Sequence, residues 1–275
     1  MKPAAFDYVG ATSADEALAA LARGGDDARV LAGGQSLMAM MNFRLVEPSI
    51  LVDITGIDGM DYVRTDGGKV EIGAATRQRT LENWSGLQAS LPLLAKAIPN
   101  IGHFQTRSRG TVCGSIAHAD PSSELPLCLA TLGGEVVLRS AKGERVLSAA
   151  DFQTGMLSTA KRADEIVAAA CYPVQDPKSG SAFAEMTQRR GDFAIVAVAA
   201  VATGETIRLG VGGVADKPAV RQWDGLADGD IDDALNEFAW EMGGVDDPHA
   251  SARYRRELVR RLGRRVIEEA KSWRS

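Results

Sequence analysis

The sequence predicts an α+β protein built in two parts, and three observations carry that prediction. An N-terminal strand–helix–strand run ends in a glycine turn, a middle stretch of short alternating strands is organised by hairpin turns, and three period-two segments are followed by two helices. Periodicity stops at Val174-Gln-Asp-Pro-Lys-Ser-Gly180, where turn-forming residues cluster, so the division is expected there. The expected parts are residues 1–173, with subdomains of about 1–56 and 57–173, and residues 177–275.

In chain order, Phe6–Val9 reads as a strand, and Ser13-Ala-Asp-Glu16 as a capping box opening an Ala/Leu-rich helix that ends at Gly24-Gly25. Arg29–Ala32 is a strand running into Gly33-Gly34, and Ile50–Ile54 is another after the Pro48 break. Val63 and Lys69–Gly73 alternate around an Asp66-Gly67-Gly68 turn, a hairpin pattern. A short helix is expected over Thr80–Trp84, and a buried one over Leu91–Ile98, capped by Ser90 with Pro92 in its first turn. Glu124–Thr131 reads as a helix, and Glu135–Arg139, Glu144–Leu147 and Glu165–Tyr172 read as strands around an irregular stretch 151–158. Beyond the division, Ala182–Gln188, Ile195–Ala202 and Thr206–Val214 predict a three-stranded antiparallel sheet. The last helix is expected to open at Asp247-Pro248, with Tyr254, Leu258, Leu262, Val266 and Ala270 forming one apolar stripe and seven arginines on its other faces.

Two stretches carry the chemistry. Leu31-Ala-Gly-Gly-Gln-Ser-Leu37 places two glycines and a hydroxyl where backbone N–H groups can converge on an anion. Arg109-Gly-Thr-Val-Cys-Gly-Ser-Ile-Ala-His-Ala-Asp-Pro121 repeats the recipe of small residues, hydroxyls and glycines. A plain tight turn would explain either loop alone, but two in one chain suggest one extended, phosphate-bearing ligand. Gly33, Gly34 and Gly114 offer close backbone approach, and Ser36, Thr111 and Ser115 offer hydroxyl donors. Gln35 either donates as well or braces its turn. Asp120 and Glu124 are anions, better suited to accept from sugar or ribityl hydroxyls than to touch phosphate.

These stretches resemble the FAD-binding medium subunit of the molybdenum hydroxylases, the xanthine dehydrogenase and aerobic carbon monoxide dehydrogenase type, along the whole chain. The family pattern is an A-G-G-x-S-L loop and a T-x-G-G-[SN] loop followed by A-x-A-D-P and an acidic residue. The resemblance implies a two-part FAD-binding domain of the PCMH, or vanillyl-alcohol-oxidase-like, type and a smaller C-terminal α+β domain. It implies FAD contacts at Ala32, Gly33, Gly34, Gln35, Ser36, Leu37, Thr111, Gly114, Ser115, Asp120 and Glu124. It also sets Ile101 and Val167 along the flavin, positions that core packing explains equally, and Phe193 over the ring. Its implied partners are an iron–sulfur small subunit with [2Fe–2S] clusters and a molybdopterin large subunit, as a heterotrimer or its dimer. Electrons drawn from a small, heterocyclic substrate would pass through the clusters to FAD and on to an external acceptor. Cys113 stands where the family has a glycine, which raises tighter loop geometry or covalent flavinylation beside a plain buried thiol.

Composition narrows the rest. The 275 residues are 45% hydrophobic and 24% charged, with 31 basic against 36 acidic side chains for a net charge of −5, which gives nucleic acid no electrostatic foothold. No run approaches the roughly 20 apolar residues of a membrane span, and the N-terminus lacks a signal-peptide core, so a cytoplasmic protein is expected. The cysteines form no C-x-x-C, the three histidines lack ligand spacing, and no G-x-S-x-G or H-E-x-x-H occurs. Neither a metal ligand set nor a catalytic acid, base or nucleophile is assigned. Gly210-Val-Gly-Gly-Val-Ala215 matches G-x-G-x-x-A, but Pro218 follows, so a β-turn is expected in place of a dinucleotide loop. Two rival readings remain: a self-contained flavin reductase or oxidase resembling enolpyruvyl-UDP-N-acetylglucosamine reductase, and a nucleotide-binding regulatory module. Candidate partner surfaces are Met38–Met41 and the arginine-rich helix, whose charge a solvated face also explains.

Overall fold

A computed structural model describes residues 2–273. The first unit is a three-stranded parallel sheet of order β1-β3-β2, with β1 at Asp7–Gly10, β2 at Ala28–Leu31 and β3 at Ile50–Asp53. Asp7 and Ala28 both stand opposite Ile50, so the two outer strands share one register on the central one. The crossover helix Ala14–Gly24 is capped by Ser13, whose Oγ accepts from the Glu16 N–H at 3.2 Å. The Glu16 carboxylate reaches the N–H of Thr12 rather than Ser13, so the expected box is displaced by one residue. Gly25, at φ +51°, ends the helix, and Ala17, Leu18, Ala20 and Leu21 pack beside Val52 and Ile54.

The second unit is a five-stranded antiparallel sheet of order β4-β5-β10-β6-β7: β4 Val63–Asp66, β5 Lys69–Gly73, β6 Glu135–Ser140, β7 Gly143–Ser148 and β10 Ile166–Pro173. The returning strand β10 thus inserts between two hairpins. Its alternate residues Ala170 and Tyr172 join Val70, Ile72, Val136 and Leu138 in the core with Leu93, Leu94, Val112, Ile116, Leu125 and Leu127 from the covering helices. The helix Pro92–Ala97 is preceded by Leu91, not capped by Ser90, which closes the short helix Leu87–Ser90. The stretch expected to be irregular holds a one-turn helix, Ala149–Phe152, and a small ladder of β8 (Gln153–Gly155) with β9 (Ser158–Thr159), turned at Leu157 with φ +51°.

The C-terminal sheet contains the three expected strands, β11 (Gly180–Met186), β12 (Val196–Thr203) and β13 (Thr206–Gly212), and a fourth, β14 (Ala219–Asp224). The sequence hides β14 because it is a half-buried edge strand whose composition, Ala-Val-Arg-Gln-Trp-Asp, has no clear alternation to read. One sheet face, including Ala182, Ala184, Val198 and Ala200, packs on the helices Ile231–Glu241 and Ala252–Ser272. The opposite face meets the helix Glu124–Leu132: a Cβ on Gly210 would lie 2.0 Å from Thr131 Oγ1. The G-x-G-x-x-A match is therefore a strand pressed on a helix and then a turn at Gly213, φ +80°.

The last helix starts at Ala252, with Ser251 as its cap, four residues beyond the expected Asp247. Asp247 instead closes a turn, accepting from the N–H groups of His249 and Ala250, both at 2.9 Å. Leu258, Leu262, Val266 and Ala270 are buried as the stripe predicts, whereas Tyr254 is exposed. The basic faces are mostly satisfied within the chain: Arg260 and Arg261 pair with Glu257, Arg264 with Asp232 and Glu268, and Arg256 lies 4.1 Å over the Trp240 ring. Among the described residues no helix is long and apolar enough to cross a membrane.

Candidate functional site

A cavity of about 580 Å³ lies between β2, the start of β10 and the segment 191–193 that joins β11 to β12. That size is within the roughly 300–1,000 Å³ of small-molecule and cofactor sites. The first glycine loop leaves the end of β2, where Leu31 C=O accepts from Ile54 N at 3.0 Å. Gly34 then takes φ +69°, a left-handed turn that turns the chain into the short helix Leu37–Asn42. A Cβ on Gly33 would sit 2.3 Å from Arg109 C=O and 2.6 Å from Gly110 Cα. The two glycine loops, 76 positions apart from Gly33 to Arg109 (109 − 33), thus touch backbone to backbone.

The second loop is tied into the scaffold. Arg77 bridges to Thr111, Gln78 N–H donates to Gly110 C=O at 2.8 Å, and Val112 N–H donates to Thr76 C=O at 3.0 Å. Thr111 caps the helix Val112–His118, its Oγ accepting from Gly114 N–H at 3.0 Å, so its oxygen is committed and only its hydroxyl proton is left to donate. A Cβ on Gly114 would lie 2.5 Å from that same oxygen. Cys113 sits in the first helical turn without the positive φ that would demand glycine, so the departure from the family pattern costs the backbone nothing. Its Sγ lies 3.4 Å from Ile72 C=O, and burial pushes its thiol far up, which removes the thiolate a covalent flavin link would need.

Of the positions expected from the sequence, Ala32, Gly33, Gly34, Gln35, Ser36, Leu37, Ile101, Thr111, Gly114, Ser115, Glu124, Val167 and Phe193 all line this cavity. Asp120 does not; its carboxylate accepts from Ser122 N–H at 2.8 Å and shapes the turn into the next helix. Gln35 braces its own loop, donating to Gly33 C=O at 3.4 Å. Ser36 and Ser115 make no side-chain hydrogen bond within the described residues, which leaves both hydroxyls for a ligand. Ile101 and Val167 are core residues and lining residues together, and the bulge in β10 between Val167 and Ala169 turns its backbone at this point. Phe193 is 62% exposed at the cavity edge.

Glu124 is only 6% exposed and opens the helix Glu124–Leu132, where its carboxylate takes a hydrogen bond from its own backbone N–H and none from another residue among those described. Burial, reinforced by Glu185 and Asp120, pushes its carboxyl up to about 8. An acid in that setting needs hydroxyl or amide donors. Three lining groups escaped sequence reasoning. Arg29 and Lys161 face the same cavity with backbone carbonyls as partners, and burial followed by the charge of Arg29 holds the Lys161 amine below its usual range. Gln78 Oε1 is buried with no partner. Single polar residues on unrelated elements leave no spacing signal. The donor set fits a dinucleotide flavin: a two-loop glycine cradle a Cβ would fill, uncommitted hydroxyls and cations for phosphate, and a buried acid and amide oxygen for hydroxyls.

Comparison with known proteins agrees. Residues 4–175 match the family described as FAD binding domain in molybdopterin dehydrogenase, and residues 181–270 match the CO dehydrogenase flavoprotein C-terminal domain. The 6-hydroxypseudooxynicotine dehydrogenase complex subunit alpha of Paenarthrobacter nicotinovorans is 36% identical over 98% of this chain and 96% of its own length. The carbon monoxide dehydrogenase medium chain of Afipia carboxidovorans is 32% identical over 99% of both. A chain in the crystal structure of the cyanide-inactivated Cu,Mo-CO dehydrogenase superposes with a TM-score of 0.94 at 32% identity, covering 99% of this chain and all of that one.

Proposed function

This chain belongs to the FAD-binding medium-subunit family of the molybdenum hydroxylases, and we propose from that premise how its residues hold the cofactor and what they meet. It is the FAD-carrying oxidoreductase subunit of a multi-subunit complex. When bound, FAD supplies the electron storage that links iron–sulfur clusters to an external acceptor. In our reading the diphosphate lies between the two glycine loops, taking hydrogen bonds from Ser36, Ser115 and the loop N–H groups. Arg29 and Lys161 add positive charge to the same cavity. Glu124 and Gln78 accept from the ribityl or ribose hydroxyls, while Ile101, Val167 and Phe193 enclose the isoalloxazine. Asp120 serves by shaping the second loop rather than by contact.

The observation that carries this account is the contact of Gly33 with Arg109 and Gly110, which joins two distant loops into one cradle. We place the boundary between the FAD-binding part and the C-terminal part within 174–180; the two family matches, ending at 175 and resuming at 181, support it. The partners we infer are an iron–sulfur small subunit and a molybdopterin large subunit, in the cytoplasm, as a heterotrimer or its dimer. Of the methionine segment, Met41 is buried, and the neighbouring Phe43 and Leu45 are the exposed apolar side chains available to a partner. In our reading the substrate pocket lies on the molybdopterin subunit, so this chain does not select the substrate.

Expression with the neighbouring genes tests the reading. The chain should co-purify stoichiometrically with iron- and molybdenum-containing chains, and alone it should oxidise no heterocycle. A fully active single-subunit enzyme, or co-purification with neither metal, would favour the self-contained reductase instead.

A further inference from the structure

Arg255 is an unexpected residue in the last helix. It is only 5% exposed, and the same helix otherwise buries Leu258, Val259, Leu262 and Val266. One nitrogen, Nη1, donates to Ile195 C=O at 2.5 Å and to Gly213 C=O at 2.7 Å, and Nη2 pairs with Asp247 at 2.5 Å. Asp247 is itself fixed: burial works against its charge, but the N–H groups of Ala250 and His249 and the Arg255 cation hold its carboxyl below the usual range.

The two carbonyls lead directly to the cofactor cavity. Ile195 closes the base of the segment that carries Gly191, Asp192 and Phe193 along the cavity edge, its N–H donating to Met186 C=O at 2.8 Å. Gly213 donates its N–H to Pro121 C=O at 2.8 Å, immediately after the second glycine loop. A Cβ on Gly213 would lie 2.7 Å from Ile195 C=O, so the two strand ends are in backbone contact at this point. A planar guanidinium binds several acceptors in fixed directions, which a flexible ammonium does not reproduce. Asp247 is exposed, with 37% of its side-chain surface open, so the ion pair is screened by solvent and stability alone gives little reason for it here.

We propose that Arg255, held by Asp247, is a positioning residue for the flavin: it fixes the Gly191–Phe193 segment relative to the second glycine loop and so sets how closely Phe193 covers the ring. This rests on the reading that the cavity holds FAD with Phe193 against the isoalloxazine. The network acts through backbone carbonyls alone; no side chain in it touches the cofactor.

The test compares five variants of the full chain loaded with FAD: Arg255→Met, Arg255→Lys, Asp247→Asn, Val266→Ala and Phe193→Ala. The readouts are the visible circular dichroism of the flavin and the rate at which dioxygen reoxidises the photoreduced flavin. Arg255→Met should change both, with a severalfold change in rate in the direction set by Phe193→Ala. Arg255→Lys, which keeps the charge and some donors, should recover part of the change. Asp247→Asn should give the same effect more weakly, and it stands in should Arg255→Met not fold. Val266→Ala removes packing from the same helix without touching either carbonyl, and should leave both readouts at wild type. If Phe193→Ala moves the flavin signals and neither Arg255→Met nor Asp247→Asn does, the proposal is overturned while the flavin reading stands. If Phe193→Ala is silent too, the placement of Phe193 fails with it. Matching changes in Val266→Ala would reduce Arg255 to general packing and also overturn the proposal.

Discussion

The two glycine loops resemble each other in sequence but differ in what their polar groups already do. In the first, the Ser36 hydroxyl is uncommitted and Gly34 supplies a left-handed turn. In the second, Thr111 caps a helix and Gly110, Thr111 and Val112 are all bonded to the neighbouring Thr76–Gln78 segment. The first loop thus offers its donor from a turn, whereas the second offers Ser115 from a wall whose shape is fixed before any ligand arrives. Substitution of Ser36 or Ser115 should therefore act on flavin affinity, and loss of the Thr111 cap on stability.

The largest effect is expected where the loops meet. Gly33→Val puts side-chain carbon inside the van der Waals radius of the Arg109 and Gly110 backbone, which cannot retreat without breaking the second loop. Flavin should be absent from the purified protein by absorbance. Gly34→Val strains a residue at φ +69° by about 1–2 kcal/mol before any contact is counted, and should also abolish retention. A folded protein that keeps its flavin in both variants would refute the cradle.

Next comes a pH effect at Glu124. Its carboxyl in the folded chain lies at about 8 against an unfolded value of 4.5, so the fold binds that proton more tightly than the unfolded chain does. The resulting stability is fully present below pH 4.5 and is lost as pH rises through about 8. Denaturation midpoints across that window should fall in the chain by itself and fall less in Glu124→Gln. The residual slope combines Glu185, which burial pushes up to about 7, with His118, which burial holds below its usual range and whose contribution runs the opposite way, rising with pH. Added FAD should flatten the wild-type slope, because hydroxyl donors stabilise the carboxylate.

Smaller effects separate the loops themselves. Ser36→Ala should weaken FAD binding by about 1–2 kcal/mol, roughly 5–30-fold in Kd, with unchanged stability. Thr111→Ala should cost about 1 kcal/mol of stability through the lost cap, visible in thermal melts. Cys113→Ala should change flavin content least, and acid precipitation should release all flavin from the wild type, since the buried thiol forms no covalent link.

Much of this was legible in advance because glycine and hydroxyl spacing reports directly on backbone chemistry. Thirteen of the positions expected from the sequence face one cavity because β2 ends at the first glycine turn as its residues say, whereas much of the second expected loop is the helix Val112–His118, which the sequence pattern does not place. What the sequence does not display has common causes. Asp120 is expected at the ligand, and its Oδ1 also serves its own turn, a second role that spacing does not reveal. Arg29, Lys161 and Gln78 come from three separate elements and meet only through tertiary packing. Strand β14 lacks alternation because it is an edge, and the last helix starts late because Ser251 caps it while Asp247 is drawn to Arg255.

The central claim, that both loops grip one diphosphate, is tested most directly by titrating the flavin-free full chain with FAD and with FMN and following flavin fluorescence. The account predicts stoichiometric binding of FAD, much weaker binding of FMN, and loss of the FAD signal in Gly33→Val. FMN bound as tightly as FAD, or FAD bound normally by Gly33→Val, would contradict it.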